Sequence, residues 1–260
     1  MTSPHDRVYL SRIDEKRFGV IVAKSLSVTS DTLPSIIKFC LDKRVSLLIA
    51  RCLTSEVNAV HEMEKQGFLL MDTLVYYKCD IQKKPAPSDD SPNNIRLIRP
   101  GEEEQVRDVA AKAFKGYFGH YQADERLDRA SCDDIYIDWA YRSCISKDCA
   151  DAVFVAELDD KIAGLATLRI NGPDEVEGIL FGVSPAVHGR GIYRSFMISG
   201  MIYCKEKGRK NLIVSTQIIN LAVQKVWTRL GFEPSRSFYT FHKWFKCKNQ
   251  LLPGQSSSLR

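Results

Sequence analysis

The sequence predicts an α/β fold, and two stretches carry the prediction. In residues 175–208, EVEGILFGVSPAVHGRGIYRSFMISGMIYCKEKG, an apolar strand runs into a Ser-Pro elbow, a glycine-containing loop and an amphipathic helix. In residues 211–245, the β-branched run NLIVST is followed by INLAVQKVWTRLGF and RSFYTFHKWF, which read as strand, helix and strand. Leu221, Val223, Val226, Trp227 and Leu230 recur there at helical spacing, and Gly231 stands where a helix C-cap belongs.

The first stretch also carries chemistry. Gly189 and Gly191 let the backbone turn tightly with its N–H groups inward, and the helix beginning near Ile192 adds the positive end of its dipole at the same spot. That combination is an anion site. The strand ends five residues before the first loop glycine, and Arg194 stands where a third glycine would pack the helix, so the pattern differs from a dinucleotide fold.

His188-Gly189-Arg190-Gly191-Ile192-Tyr193 resembles the pyrophosphate loop of the GNAT superfamily of CoA-dependent N-acyltransferases, Arg/Gln-x-x-Gly-x-Gly/Ala. The central glycine is in place; His188 replaces the usual Arg or Gln, and Tyr193 the final small residue. The strand, helix, Gly-Phe, strand order that follows is similar to the second half of a GNAT core. The resemblance implies a central mixed, mostly antiparallel sheet flanked by helices, with acetyl-CoA or another acyl-CoA as co-substrate. It also implies that Asn220, which opens the second helix, contacts the cofactor arm and that Tyr239 lies near the thioester sulfur.

A narrower likeness spans nearly the whole chain. RIDEKRFGVIVAK, GFLLMDTLVYY, FKGYFGHYQADERLDRASCDDIYIDWAYRSC, VSTQIINLAVQKVW and SFYTFHKW are similar to the dTDP-fucosamine acetyltransferase family, which N-acetylates a nucleotide-linked 4-amino-4,6-dideoxyhexose. This implies a nucleotide-sugar acceptor, a place in surface polysaccharide or lipopolysaccharide synthesis, and a homodimer.

Composition fits without deciding. An apolar fraction of 44% over 260 residues is that of a packed globular protein, with room for one large or two modest domains. The net charge of +5 is spread along the chain, which gives little support for nucleic-acid binding. No apolar run is long enough to span a bilayer, and MTSPHDRVYLSR lacks the apolar core of a signal peptide, so a cytoplasmic location is expected. The eight cysteines show no C-x-x-C pair and no zinc spacing. They read as reduced packing thiols, and no metal is expected.

Residues 83–94, KKPAPSDDSPNN, read as a linker between halves. The expected organisation is an accessory N-terminal α/β domain over 1–82, the linker, a catalytic domain over 95–248 and a flexible tail over 249–260. Laying residues 48–78 on 212–242 puts Leu48 on Leu212, Ile49 on Ile213, Gly67 on Gly231 and Phe68 on Phe232, which reads as a duplicated half, the alternative being a chance match between two α/β units. The first copy has Glu56 at the place of Asn220, Val75 at the place of Tyr239 and no glycine loop. It is expected to complete a sheet, shape the acceptor pocket or build a dimer interface.

Acyl transfer to an amine needs a neutral amine, a polarised carbonyl and a stabilised thiolate. CoA pyrophosphate would sit on the N–H groups of Gly189 to Tyr193, and the pantetheine arm would add to the edge of strand 176–183. An N–H of Gly182 or Val183 would polarise the thioester oxygen, and Gly182 points to a bulge there. Tyr239 is the candidate proton donor to the thiolate. Glu177, its strand neighbour Glu175, and His120 are the candidate bases, a water chain being the alternative. The segment from Phe114 to Trp139 offers Tyr117, His120, Tyr121, Asp124 and Arg126 to a hydrophilic acceptor, unless its aromatics pack a helix onto the sheet. Two other readings remain open: acetylation of a peptide or small amine, and a non-catalytic CoA-binding module, which His188 and Tyr193 favour.

Overall fold

The computed structural model describes residues 8–245, so the tail expected at 249–260 lies outside the described residues. In chain order the elements are β1 (Val8–Leu10), α1 (Arg12–Phe18), β2 (Val22–Val28), α2 (Leu33–Asp42), β3 (Leu47–Leu53), α3 (Val57–Lys65), β4 (Leu69–Asp80), β5 (Asn94–Leu97), α4 (Glu103–Ala113) and α5 (Arg129–Ile145). They continue with β6 (Ala152–Leu158), β7 (Lys161–Ile170), β8 (Glu175–Val183), α6 (Ile192–Glu206), β9 (Asn211–Gln217), α7 (Leu221–Arg229) and β10 (Glu233–Trp244).

The described residues form two compact units, 8–72 with 238–245, and 73–237. In the first, β2 and β3 run parallel with α2 as their crossover, β1 pairs antiparallel with β2, and β10 pairs antiparallel with β3 from Phe238↔Leu53 to Trp244↔Leu47. Leu33, Ile36 and Cys40 recur on one face of α2, and Ala59 and Met63 on one face of α3; these residues bury against Leu48, Ala50, Phe68 and Phe241.

In the second unit the strand order is β4-β9-β8-β7-β6-β5. Only β8 and β9 are parallel in this set; the other neighbours are antiparallel. Val106, Val109 and Ala110 of α4 and Ala140 of α5 pack with Val155, Leu165 and Leu180. Met197, Ile198 and Met201 of α6 and Trp227 and Leu230 of α7 pack with Leu168, Val176, Leu212 and Val214. The sheet is thus mixed and mostly antiparallel between two helical layers.

The duplication is complete at the level of elements. With Leu47 laid on Asn211, the spans of β3, α3 and β4 fall residue for residue on those of β9, α7 and β10. Gly67 (φ 78°) and Gly231 (φ 85°) turn left-handed at the same place after each helix, a conformation glycine adopts without steric cost. The last strand of each copy joins the other unit: β4 pairs with β9 from Leu74, and β10 pairs with β3 from Phe238. The units follow this exchange. They differ from the spans expected from sequence, since residues 73–94 belong to the second unit and 238–245 to the first.

β8 carries a bulge. Leu180 stands opposite Thr167 and Gly178 opposite Leu168, so Ile179 is the extra residue. It reverses the strand's facing: Val176 packs with α6 and α7, whereas Leu180 packs with α4. The bulge expected at Gly182 lies three residues earlier, and Gly182 pairs regularly with Leu165. Its missing side chain has another cause, since a Cβ there would meet Ala113 Cβ at 3.1 Å and the Phe114 ring at 3.2 Å.

Candidate active site

The parallel pair in the second unit opens along its length. Among the described residues β8 and β9 pair only over Glu175–Gly178 and Asn211–Val214, after which β9 continues along β4 and β8 along β7. Ser184 N–H donates to Ala163 C=O at 2.8 Å and Leu180 N–H to Thr167 Oγ1 at 3.1 Å. By the alternation of an antiparallel ladder, Gly182 also faces β7, while Phe181 and Val183 turn their N–H and C=O groups to the opening. Of the two amides expected to polarise a carbonyl, Val183 faces the opening and Gly182 does not.

The glycine loop lies at the end of that edge. A short 3₁₀ turn, Pro185–Val187, leads to His188, whose Nε2–H donates to Val183 C=O at 3.0 Å. His188 therefore holds the loop to the strand end. Gly189 (φ 83°) and Gly191 (φ 76°) are left-handed, and Gly191 is the N-cap of α6. The first-turn amides of α6, Ile192 and Tyr193 among them, have no intrahelical acceptor and carry the positive end of its dipole. Arg190 is exposed between the two glycines.

Tyr193 does not crowd this amide face. Its ring lies 5.6 Å from Phe181, its hydroxyl accepts from Trp227 Nε1 at 2.9 Å, and burial pushes that hydroxyl's pKa up. Trp227 in turn packs at 5.2 Å on Tyr77 of β4. The bulk that replaces the loop's last small residue joins the packing of α6 and α7.

Phe114 and Tyr136 stack at 5.1 Å with Tyr117 edge-on at 4.7 Å to Tyr136. Phe114 covers Gly182 of β8, and a Cβ on Gly119 would meet Gln217 of β9 and Tyr136, each at 3.0 Å. The aromatic segment therefore borders the opening on both strands. Tyr121 and Asp124 are buried, and Arg126 is exposed. The His120 ring lies 3.9 Å from Tyr121, and the segment is tied to α5 by Gln122 Nε2–H donating to Cys132 C=O at 3.1 Å. Phe114, Tyr117 and Tyr136 pack together, and His120 follows Gly119, the residue that approaches Gln217.

The remaining expected residues divide. Asn220 caps α7, its Oδ1 accepting from Val223 N–H at 3.4 Å while its Nδ2–H donates to Thr216 Oγ1 at 3.0 Å. Glu177 accepts from Arg169 at 2.9 Å and from Asn171 at 2.8 Å. Tyr239 belongs to the first unit, opposite Cys52 and 6.2 Å from Phe241, against that unit's core.

Sequence reasoning missed the part played by residues 88–93. Arg194 Nη1–H donates to Asp89 at 3.2 Å, and Asn93 Nδ2–H reaches Arg190 C=O at 3.1 Å and Ser195 Oγ at 3.0 Å. Asp, Ser and Asn side chains that bond to backbone were the available signal, masked by Pro-rich composition. Among the described residues no cluster of His, Cys, Asp and Glu is placed to hold a metal, and no helix is long and apolar enough to cross a membrane.

Comparison with known proteins agrees with this geometry. Residues 106–232, just under half of the chain and all within the second unit, match the family model of the acetyltransferase (GNAT) family. The spore coat polysaccharide biosynthesis protein SpsD of Bacillus subtilis is 22% identical over 145 residues, 56% of this chain and 48% of that protein. A mycothiol acetyltransferase of Nocardia farcinica is 27% identical over 79 residues, 29% of this chain and 26% of that protein. The matched stretches thus span half or less of these curated relatives. A GCN5-related N-acetyltransferase from Sphaerobacter thermophilus superposes with a TM-score of 0.62 at 14% identity, over 91% of this chain and 76% of that one, which establishes the fold. The splayed parallel strands and the left-handed glycine loop both lie within the stretch that matches the acetyltransferase (GNAT) family model.

Proposed function

We propose that the protein transfers an acetyl group from acetyl-CoA to the amine of a nucleotide-linked amino-deoxy sugar, in the synthesis of a surface polysaccharide or lipopolysaccharide. The observation that carries the reading is the open edge of β8 ending at a left-handed glycine loop. Peptide-like groups of a pantetheine arm find Phe181 and Val183 turned toward them, as an added strand would. Pyrophosphate finds the amides of Gly191, Ile192 and Tyr193 at a helix N-terminus, with Arg190 exposed nearby. The Val183 or Phe181 N–H polarises the thioester carbonyl as negative charge develops on its oxygen. In the transfer a C–N bond forms as the C–S bond breaks, and the proton lost by the amine ends on the CoA sulfur.

His120 is the preferred acceptor of the amine proton, because it follows Gly119, which approaches Gln217 of β9, and Glu177 is held by Arg169 and Asn171. Tyr239 is assigned no step. The sugar acceptor rests on the likeness to the dTDP-fucosamine acetyltransferase family and to SpsD, named for spore coat polysaccharide biosynthesis. The test is mass spectrometry of purified protein with acetyl-CoA and a dTDP-4-amino-4,6-dideoxyhexose. Enzyme-dependent gain of one acetyl group supports the reading. Release of CoA with a simple amine but not with this sugar nucleotide would refute the acceptor class.

A further inference from the structure

The segment that reads as a linker is fastened to the glycine loop from behind. Asn93 Nδ2 lies 3.1 Å from Arg190 C=O, 3.0 Å from Ser195 Oγ and 3.1 Å from Ser91 Oγ. Ser195, fully buried in the first turns of α6, has its Oγ 2.9 Å from Ser91 Oγ and 3.3 Å from Gly191 C=O. Asp89 receives Arg194 Nη1–H at 3.2 Å and Ser91 N–H at 3.3 Å. Burial alone would raise the Asp89 carboxyl; hydrogen bonds from Ser195 and Ser91, with the Arg194 guanidinium, outweigh it and hold its pKa below the ordinary value.

One contact here governs the anion site. Arg190 C=O and Gly191 N–H belong to the same peptide plane and point in opposite directions across it. That plane joins Arg190 to the left-handed Gly191, and on its Gly191 side rotation meets little steric resistance. A flip would replace a donor by an acceptor on the face that meets the phosphate. By holding Arg190 C=O inward, Asn93 keeps Gly191 N–H outward. Asp89 meanwhile engages Arg194, which leaves Arg190 as the loop's exposed cation.

We propose that residues 88–93 are a strap that holds the glycine loop in its anion-accepting shape, with Asn93 as the positioning residue. The proposal rests on the acyl-CoA reading above and adds to it a determinant outside the loop. It predicts a defect specific to the phosphate end of the donor: Asn93 acts on the loop, not on the open edge of β8.

The test is Asn93→Ala, measured by calorimetry with CoA and by turnover with acetyl-CoA and with S-acetylpantetheine, which lacks the pyrophosphate. CoA affinity should fall about tenfold, one hydrogen bond to a site-forming group, with kcat at saturating acetyl-CoA within about twofold of the unaltered chain. Turnover of S-acetylpantetheine should not change. Ser91→Ala, which removes one contact to Ser195, should shift CoA affinity in the same direction by less, and serves if the first variant folds poorly. Unchanged CoA affinity in both variants, or equal losses with both donors, would overturn the strap. Absence of CoA binding by the unaltered chain would instead overturn the acyl-CoA reading, and the strap's role with it.

Discussion

The two copies of the β-α-β-α-β repeat differ at two places, and both differences lie where the second copy builds its site. In the first copy β2 and β3 pair from Val22↔Leu47 to Ser25↔Ala50 and, after a register shift, again at Val28↔Cys52. In the second, β8 and β9 separate after Gly178 and Val214. The turn into α2 is closed by its own side chains: Thr29 N–H donates to Thr32 Oγ1 at 2.9 Å and Thr32 N–H to Thr29 Oγ1 at 3.3 Å. The turn into α6 has two left-handed glycines and no side-chain cap on the helix start. One topology thus has a satisfied helix start in one copy and leaves both edge and helix start open in the other, where the proposed acyl-donor site lies.

The largest effect should come from closing the second copy's turn. Gly191→Val forces a β-branched residue into a left-handed conformation and displaces two amides, so CoA affinity should fall by roughly a hundredfold or more in calorimetry. Thermal stability should change little by comparison, because the loop is exposed. Retained affinity would remove the loop from the phosphate site.

Next come Trp227 and Met63, which occupy the same repeat position and are both fully buried. Trp227→Ala should cost about 3–5 kcal/mol and Met63→Ala about 2–5 kcal/mol in denaturant unfolding. Only the first should also weaken CoA binding, because it removes the partner of Tyr193 in the loop helix. Equal CoA affinities in the two variants would show that Tyr193 does not need its anchor.

The third contrast is pH. The second unit carries β5 and α4, where Arg96 bonds to Glu102 at 2.7 Å and also contacts Glu157. The Arg96 guanidinium holds the Glu102 carboxyl down to about 2, against desolvation and with help from the Arg99 amide. A depressed acid stabilises the fold fully above its unfolded value and loses that contribution as pH falls toward its folded value. Glu102→Gln should therefore lower stability at neutral pH and remove part of the decline between about pH 4.5 and pH 2. An unchanged acid limb in the variant would mean that the pair contributes nothing to folding.

The smallest effect is expected at Tyr239. Its ring packs against the first unit's core, so Tyr239→Phe should leave turnover within about twofold. A large loss of kcat with intact CoA binding would return Tyr239 to the chemistry.

These contrasts also mark what the sequence conveys. The glycine loop, both strand-helix-Gly-Phe-strand copies and their missing counterparts at Glu56 and Val75 were legible because they are local patterns. The splay was not, since residues 176–183 read as one strand whether or not a neighbour pairs with them. The bulge was placed at Gly182 because glycine draws attention, whereas Ile179 is bulged by register alone. Residues 83–94 read as a linker because the partners of Asp89 and Asn93 lie about a hundred residues away. Tyr239 read as part of the catalytic half because strand exchange is a property of the fold and leaves no trace in composition.

The most direct test of the account is backbone amide exchange with and without CoA. Protection confined to residues 179–193, with none gained over the matching turn at residues 28–34, is the predicted result. Equal protection of both turns, or none at Phe181, Val183 and Gly191, would contradict the claim that opening one copy's edge and helix start makes the acyl-donor site.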